Sequence, residues 1–225
     1  MNNKMSELDS YFIKNTEAIN KKTGYLLSAD SDIRKKRAVE ESKKSAVPIS
    51  KVYELVNDFI EQLRQDNGAK EKMLRKETLV LDNTTQRIID NGIIATNLSW
   101  KSPVWDEEKH RTTKWDEKYD IIKEKFKLEH QYDIVWLKFT NKGHLGVVCK
   151  SFDINFDETN SNGKPVTSYK LISEVGESWN NSVVLIFPIT KEIRGKRSVG
   201  DLELGVGNYL IEKGVPIIDF YSHNA

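Results

Sequence analysis

The sequence has little cysteine and no long apolar run. Cys149 is the single cysteine in 225 residues, so the chain cannot form an internal disulfide. No apolar stretch approaches the ~20 residues that span a bilayer. The first residues, MNNKMSELDSYF, lack the charged-then-apolar pattern of a secretory signal. Together these absences predict a cytoplasmic protein without a membrane partner.

Charge and metal-ligand patterns exclude little and indicate little. The formal net charge of +1 neither supports nor excludes a nucleic-acid partner, because a local basic patch can be hidden in a balanced total. The basic excess lies in the first half, at residues 34–37 and 43–44. No histidines or acidic residues show metal-ligand spacing, and "GVGN" at 205–208 lacks the third glycine of a dinucleotide fingerprint. We therefore expect neither a metal nor a cofactor.

The composition changes near residue 130. Charge is dense and glycine scarce before this point, whereas glycine, valine and isoleucine become common after it. The change predicts three parts: a charged, partly ordered N-terminal segment over 1–47, a helical domain over 48–130 and a β-domain over 131–225. The predicted fold class is therefore α+β.

Helical periodicity is clearest after Pro48. Before Pro48, a helix capped by Asp30 or Ser31 is predicted. Pro48 then separates this helix from the next one. Ser50 is the predicted cap of the next helix, and "DNG" at 66–68 is its predicted stop. The apolar stripe of that helix comprises Val52, Leu55, Val56, Phe59 and Leu63. Further helices are predicted over 69–91, completing a helical hairpin, and over 116–129.

Tryptophans and basic residues lie close together between the last two predicted helices. Trp100, Trp105 and Trp115 are interleaved with lysine and arginine, which is compatible with a base-stacking platform. We favour packing of the helices onto the next domain, because tryptophan is usually largely buried.

The second half alternates like a series of strands. Strands are predicted over 133–139, 145–152, 181–190, 201–211 and 215–223. Short strands separated by turns, without a long crossover helix, indicate an antiparallel barrel or a curled sheet.

The strand sequences resemble those of a known family. "YDIVWLKFTNKGHLGVVCKSF" followed by "SVVLIFPITKE" resembles the MazF/PemK toxin endoribonucleases over residues 131–225. The resemblance implies a small Src-homology-3-like antiparallel barrel of the MazF/PemK/Kid type and a homodimer. It also implies a toxin held inactive by an antitoxin protein, which cuts single-stranded RNA without a metal. In that reaction the 2′-hydroxyl attacks the adjacent phosphate and leaves a cyclic phosphate.

Two residues carry the implied catalytic roles. Thr190 matches the family threonine at the end of the "PIT" strand, and His144 lies in the "GH" of the loop after the first strand. A histidine there is suited to general acid or base catalysis. The family arginine of that loop is absent, because Leu145 and Gly146 stand where the family has Arg-Pro, and leucine cannot hold a phosphate bidentately. Three alternatives remain: His144 and Lys142 supply its role, the loop aligns differently with the family, or the protein does not cleave RNA.

Cationic and small residues around these two positions are the predicted RNA-binding set. Lys142 would neutralise phosphate and Gly143 would let the backbone approach the substrate, although Asn-Lys-Gly is also an ordinary tight turn. A second group would form a phosphate-binding rim, although a solvated loop is the more common structure. Its members are Lys191, Arg194, Lys196 and Arg197.

Two other functions remain open from the sequence. A non-catalytic nucleic-acid-binding or partner-binding module of the same fold is favoured by the missing arginine, and its basic segment at 34–44 would then take part in recognition. A factor that binds only a protein partner, with a barrel that resembles the toxins by chance, is the other.

Overall fold

The computed structural model describes a large share of the chain. The described residues are 7–12, 21–25, 27–28, 30–69, 79–81, 86–89, 93–96, 105–106, 111–112, 134–150 and 167–220. The predicted helix over 116–129, most of the tryptophan-rich stretch and the last predicted residues of the closing strand lie outside them.

Helices and strands alternate in blocks along the described residues. The helices are α1 Glu7–Ser10, α2 Ser31–Glu41, α3 Ile49–Asp66, α4 Thr167–Glu174, α5 Lys191–Arg194 and α6 Val199–Glu212. The strands are β1 Leu79–Leu81, β2 Gln86–Ile89, β3 Ile93–Thr96, β4 Trp105–Asp106, β5 Arg111–Thr112, β6 Ile134–Thr140, β7 Leu145–Lys150 and β8 Trp179–Pro188. The predicted α+β class is confirmed.

Six of these strands form one antiparallel sheet with the order β1-β2-β3-β8-β6-β7. In the described residues this is an open row, and β1 and β7 stand at its two ends. Three of its strands, β6, β7 and β8, come from residues 131–225. The other three come from the first half of the chain and join the sheet through the pairing of β3 with β8. The sheet is therefore assembled from both halves of the sequence.

Strand β6 lies at the centre of the packing. All seven of its residues are buried, and its backbone pairs with β7 on one side and β8 on the other. Val135, Leu137 and Phe139 face a core shared with α3 and α6, whereas Ile134 and Trp136 face a second core shared with α4. A strand covered on both faces is apolar along most of its length, as β6 is from Ile134 to Leu137.

Helix α2 is capped as predicted but is packed more tightly than a solvated helix. The Asp30 carboxylate accepts hydrogen bonds from the backbone N–H groups of Asp32 and Ile33, which satisfies two donors of the first turn. Charged side chains of this helix are nevertheless buried, with Arg37 only 3% exposed.

The buried charges of α2 meet Asp219, which follows α6 near the end of the described chain. Arg34 binds the Asp219 carboxylate through Nε and Nη2 at 2.7–3.1 Å, and Arg37 Nη2 lies 3.5 Å from the same carboxylate. Ser168 donates a further hydrogen bond at 2.8 Å. Because Asp219 is only 4% exposed, the ionic cluster is shielded from solvent.

Three predicted elements and one predicted cap are wrong. In place of the predicted strand over 215–223, the described residues 215–220 form only an isolated parallel bridge between Ile217 and Leu145. Pro48, not Ser50, stands at the N-cap of α3, which begins at Ile49.

The predicted helix over 69–91 contains β1 and β2, whose β-branched and aliphatic residues favour strand. The predicted strand over 201–211 lies within α6, which starts with a reciprocal capping box between Ser198 and Asp201. Nearly all of α6 is buried, so its apolar residues surround the helix and hide the 3.6-residue period.

The larger hydrophobic core crosses the predicted boundaries at residues 47 and 130. It combines Leu8 and Tyr25 from the N-terminal segment with Phe59 of α3 and with β6 and α6 residues. The described parts of all three predicted segments therefore share one core.

Replacing Asp219 with alanine tests the buried ionic cluster. The change would leave two buried guanidinium groups without their carboxylate, so we expect a loss of about 3–5 kcal/mol of unfolding free energy. Urea denaturation followed by circular dichroism measures this. Glu174→Gln is the matched control, because Glu174 pairs with Lys35 of α2 at 3.6 Å in an exposed position and its loss should cost less than about 1 kcal/mol. Equal effects of the two substitutions would contradict the argument.

Candidate functional site

The turn between β6 and β7 presents Lys142 to solvent. It closes through hydrogen bonds from Thr140 N–H to His144 O at 2.9 Å and from Gly143 N–H to Thr140 O at 2.9 Å. Gly143 has a φ of 88°, a conformation that L-residues with side chains rarely adopt, so the turn itself requires glycine here. An ideal Cβ on Gly143 would lie 3.6 Å from Ala46 Cβ, which shows that this backbone packs against the loop before α3.

The side chain of His144 points inward from this turn. It is 6% exposed, and its Nδ1 lies 3.0 Å from Glu177 Oε1. Its Nε2 lies 2.8 Å from the carbonyl oxygen of Lys44. Because a carbonyl oxygen only accepts, Nε2 carries a proton and donates it to Lys44. Both ring nitrogens are therefore engaged in holding the fold, and neither faces a solvent-accessible substrate position.

Thr190 follows β8 and precedes α5. Its hydroxyl oxygen is buried and has no hydrogen-bond partner among the described residues, and it does not cap α5. The register of the sheet sets its position relative to His144. Trp179 at the start of β8 pairs with Thr140, whereas Pro188 at its end pairs with Ile134. With about 3.3 Å per residue, the seven residues of β6 separate the two predicted catalytic positions by about 20 Å.

The predicted phosphate-binding rim lies at the Thr190 end, and its arginines stabilise the fold. Arg197 binds Asp9 at 2.7 Å and Asp66 at 3.2 Å, and Arg194 donates to the backbone carbonyl of Arg197. Lys191 and Lys196 are exposed. The structure thus brings these four residues together near Thr190 but not near His144, Lys142 and Gly143.

A different group of lysines lies on two backbone segments that meet at the hairpin turn. The bond from His144 to Lys44 fixes the backbone of the loop after α2 against the turn that carries Lys142. Lys43, Lys44 and Lys142 are all exposed there, and we call these three residues the turn patch. One of them, Lys44, pairs with Glu41 at 2.6 Å. The sequence showed both basic segments but gave no sign that residues 100 positions apart would meet.

A buried carboxyl group on α6 was missed by the sequence reasoning. Glu203 is 2% exposed, and its Oε2 has no hydrogen-bond partner among the described residues. Burial raises the pKa of Glu203 to about 7, while the positive charge of Lys150 opposes this shift. The signal is a single acidic residue in the apolar run "LELGVG", within the predicted strand over 201–211.

Comparisons with known proteins identify no relative: no family model, curated protein or solved structure matches the chain. Within the described ranges, no three or more His, Cys, Asp or Glu side chains are grouped to hold a metal ion. None of the described helices combines the length and apolar character that a membrane crossing requires.

The pair of His144 and Glu177 should behave as one unit in unfolding experiments. We expect His144→Leu to cost about 2–4 kcal/mol, because it leaves the Glu177 carboxylate buried without its partner and the Lys44 carbonyl without its donor. Glu177→Leu alone should cost a similar amount. The double substitution should cost clearly less than the sum of the two, as measured by urea denaturation. Additive costs would show that the two side chains do not depend on each other.

The ionisation of Glu203 should make stability depend on pH. Its pKa is raised in the folded state from the ordinary 4.5 to about 7, so the folded protein binds the proton more tightly than the unfolded chain. This contribution is fully present below pH 4.5, declines as the pH rises to about 7, and is then constant. The total loss is about 3 kcal/mol.

Glu203→Gln removes this titration while keeping the size of the side chain. We expect the variant and the parent to be similarly stable near pH 4.5, and the variant to be more stable by about 3 kcal/mol at pH 8. Chemical denaturation across this range measures the difference. A constant difference between the two proteins from pH 4.5 to pH 8 would contradict the assignment.

Proposed function

We propose that the protein is a non-catalytic RNA-binding module that contacts phosphates through the turn patch. The observation that carries this proposal is the 2.8 Å hydrogen bond between His144 Nε2 and the Lys44 carbonyl oxygen. It holds two basic segments, distant in sequence, side by side at one end of the sheet. A buried histidine that fixes a cationic surface has a positioning role and needs no chemistry of its own.

The charges of the turn patch suit a phosphate backbone. Lysine ammonium groups are point charges on flexible stems, so they contact phosphates without selecting a base sequence. In the Lys44–Glu41 pair the lysine side chain is 56% exposed whereas the Glu41 side chain is 6% exposed, so the ammonium group meets solvent beside a buried carboxylate. Because an ammonium group has three N–H donors, a phosphate oxygen can bind the exposed side of Lys44 while Glu41 keeps its partner.

The positions of His144 and Thr190 favour binding over cleavage. Transfer of the 2′-hydroxyl proton and protonation of the leaving oxygen require an acid and a base within hydrogen-bond reach of one phosphate. The two residues flank opposite ends of β6, about 20 Å apart, which is far beyond that reach. Both ring nitrogens of His144 are also held by protein groups.

The endoribonuclease implied by the MazF/PemK resemblance is the second candidate. One observation favours it: the buried Thr190 hydroxyl oxygen has no hydrogen-bond partner among the described residues, which leaves its hydrogen-bonding capacity unused. This candidate implies a Src-homology-3-like barrel, a homodimer and an antitoxin protein as partner. It also implies action on single-stranded RNA in the cytoplasm. It would need a base other than His144.

Substitutions in the turn patch test the first proposal. We expect Lys43→Gln with Lys142→Gln to weaken binding of a fluorescent single-stranded RNA about tenfold at 100 mM salt. Because each lost phosphate contact removes about 0.7 from the slope of log K against log salt, the slope should fall by about 1.4. Fluorescence anisotropy in a salt series measures both. Lys51→Gln on α3, another exposed lysine, is the control and should leave both unchanged.

The same RNA is incubated with the protein in EDTA and its length is then measured, which separates the two candidates. Intact RNA that binds in a salt-dependent manner agrees with the binding module. Cleavage by the parent protein that is lost in Thr190→Val would contradict the binding module and support the endoribonuclease. If the double lysine variant and the Lys51 variant bind RNA equally, the turn patch is not the binding surface.

A further inference from the structure

A groove between α3 and α6 is filled by residues 7–12 of the same chain, which we call the N-terminal strap. The Tyr11 ring packs edge-on against Phe59 at 6.1 Å and Tyr209 at 5.3 Å between centroids. The Phe12 ring lies 5.8 Å from Phe59. Such aromatic pairs add stability beyond the area they bury. Two adjacent aromatic side chains therefore anchor the strap.

The floor of the groove is shaped by a missing side chain. A Cβ at position 205 would lie 2.6 Å from Phe12 Cε1 and 3.0 Å from Phe59 Cζ. Real Cβ atoms do not approach so closely, so glycine at this position of α6 leaves the space that the Phe12 ring occupies. The groove is fitted to an aromatic residue.

A buried amide on the groove wall recognises peptide backbone. Asn208 is 3% exposed, and its Nδ2 donates to the Tyr11 carbonyl oxygen at 2.8 Å. Its Oδ1 is buried and has no hydrogen-bond partner among the residues that the structure describes. An asparagine amide can bind a peptide with both its donor and its acceptor, and the strap uses only the donor.

A cation at the rim of the groove selects for acidic neighbours of the aromatic pair. Arg197 Nη2 binds Asp9 at 2.7 Å, and the Arg197 guanidinium carbon lies 4.5 Å from the centre of the Phe12 ring. The same guanidinium also binds Asp66 on α3, so it is held at the rim by the helix and not only by the strap. The chemistry that this rim accepts is a carboxylate followed by an aromatic ring.

The helices that form the groove also contact each other directly beneath the strap. Phe59 of α3 and Tyr209 of α6 pack with their ring centres 5.3 Å apart. The strap itself contains only four residues of helix, which is too short to be stable alone. It therefore lies over a helix pair that is already joined by its own core contacts.

We propose that this groove is a docking site for a short acidic helix with adjacent aromatic residues on a partner protein, and that the N-terminal strap occupies it until that partner binds. The strap shows which chemistry fits, through its carboxylate, its two rings and its backbone carbonyl. It leaves the Asn208 acceptor unused, so a partner segment that also donates an N–H there would make one hydrogen bond more than the strap does. Such a segment would displace it.

The test uses the full-length protein and a fluorescent peptide with the sequence of residues 5–15, MSELDSYFIKN. In the parent protein the strap competes for the groove, so binding should be weak. Tyr11→Ala with Phe12→Ala weakens the strap, and peptide affinity should rise at least tenfold in anisotropy titrations. A peptide with alanine in place of the Tyr-Phe pair should not bind.

Substitutions at the rim locate the binding site. In the strap-weakened background, Arg197→Gln should lower peptide affinity at least fivefold, whereas Lys196→Gln, a neighbouring exposed lysine, should leave it unchanged. Circular dichroism confirms folding of each variant. A folded strap-weakened variant that binds the peptide no better than the parent would overturn the proposal, and so would equal effects of the two rim substitutions.

A second measurement avoids the risk that the double alanine variant fails to fold. Hydrogen exchange of the parent protein is followed with and without a large excess of the peptide. Backbone amides of residues 7–12 should exchange at least fivefold faster with the peptide present, while those of β6 stay unchanged. No change in exchange over residues 7–12 at the highest peptide concentration would contradict displacement.

Discussion

The two-sided burial of β6 is the constraint on which the rest of the structure depends. A strand with helices on both faces and strands on both edges cannot shift by one residue without moving every side chain into the other core. Polar residues are included in this burial, since Lys138 and Thr140 are fully covered. The Lys138 ammonium lies 4.1 Å from the centre of the Trp179 ring, which gives the charge a favourable aromatic neighbour. The positions of the proposed sites follow from this fixed strand, because the turn patch lies at one of its ends and Thr190 at the other.

Buried charge joins the first fifty residues to the sheet in two places. Asp219 holds α2 through Arg34 and Arg37, and His144 with Glu177 holds the loop that follows α2. Removing one member of such a cluster costs more than the cluster contributes as a whole, because the remaining charge is left without compensation. The same arrangement explains how a segment rich in lysine and arginine is both a structural element and the carrier of an exposed cationic surface.

Local patterns predicted the elements whose signals were local. The Asp30 cap, the end of α3 at "DNG" and the hairpin around Gly143 were all visible because capping and turn residues act within a few positions. The helical character of α6 was hidden, because a helix buried on every side loses its amphipathic period and its three glycines are unfavourable in a helix. The roles of His144 and Glu177 depend on a contact with Lys44 across 100 residues, and no spacing within the sequence reports such a contact. The same holds for Glu203, whose environment is made by the packing of α6 against β7.

The link between α2 and Asp219 has a consequence for how the protein is made. Arg34 leaves the ribosome 185 residues before the aspartate that will neutralise it. Throughout most of translation its guanidinium group therefore remains in water or meets other anions. Burial of helix α2 against the rest of the fold is a late event, which must wait until almost all of the described chain has been synthesised.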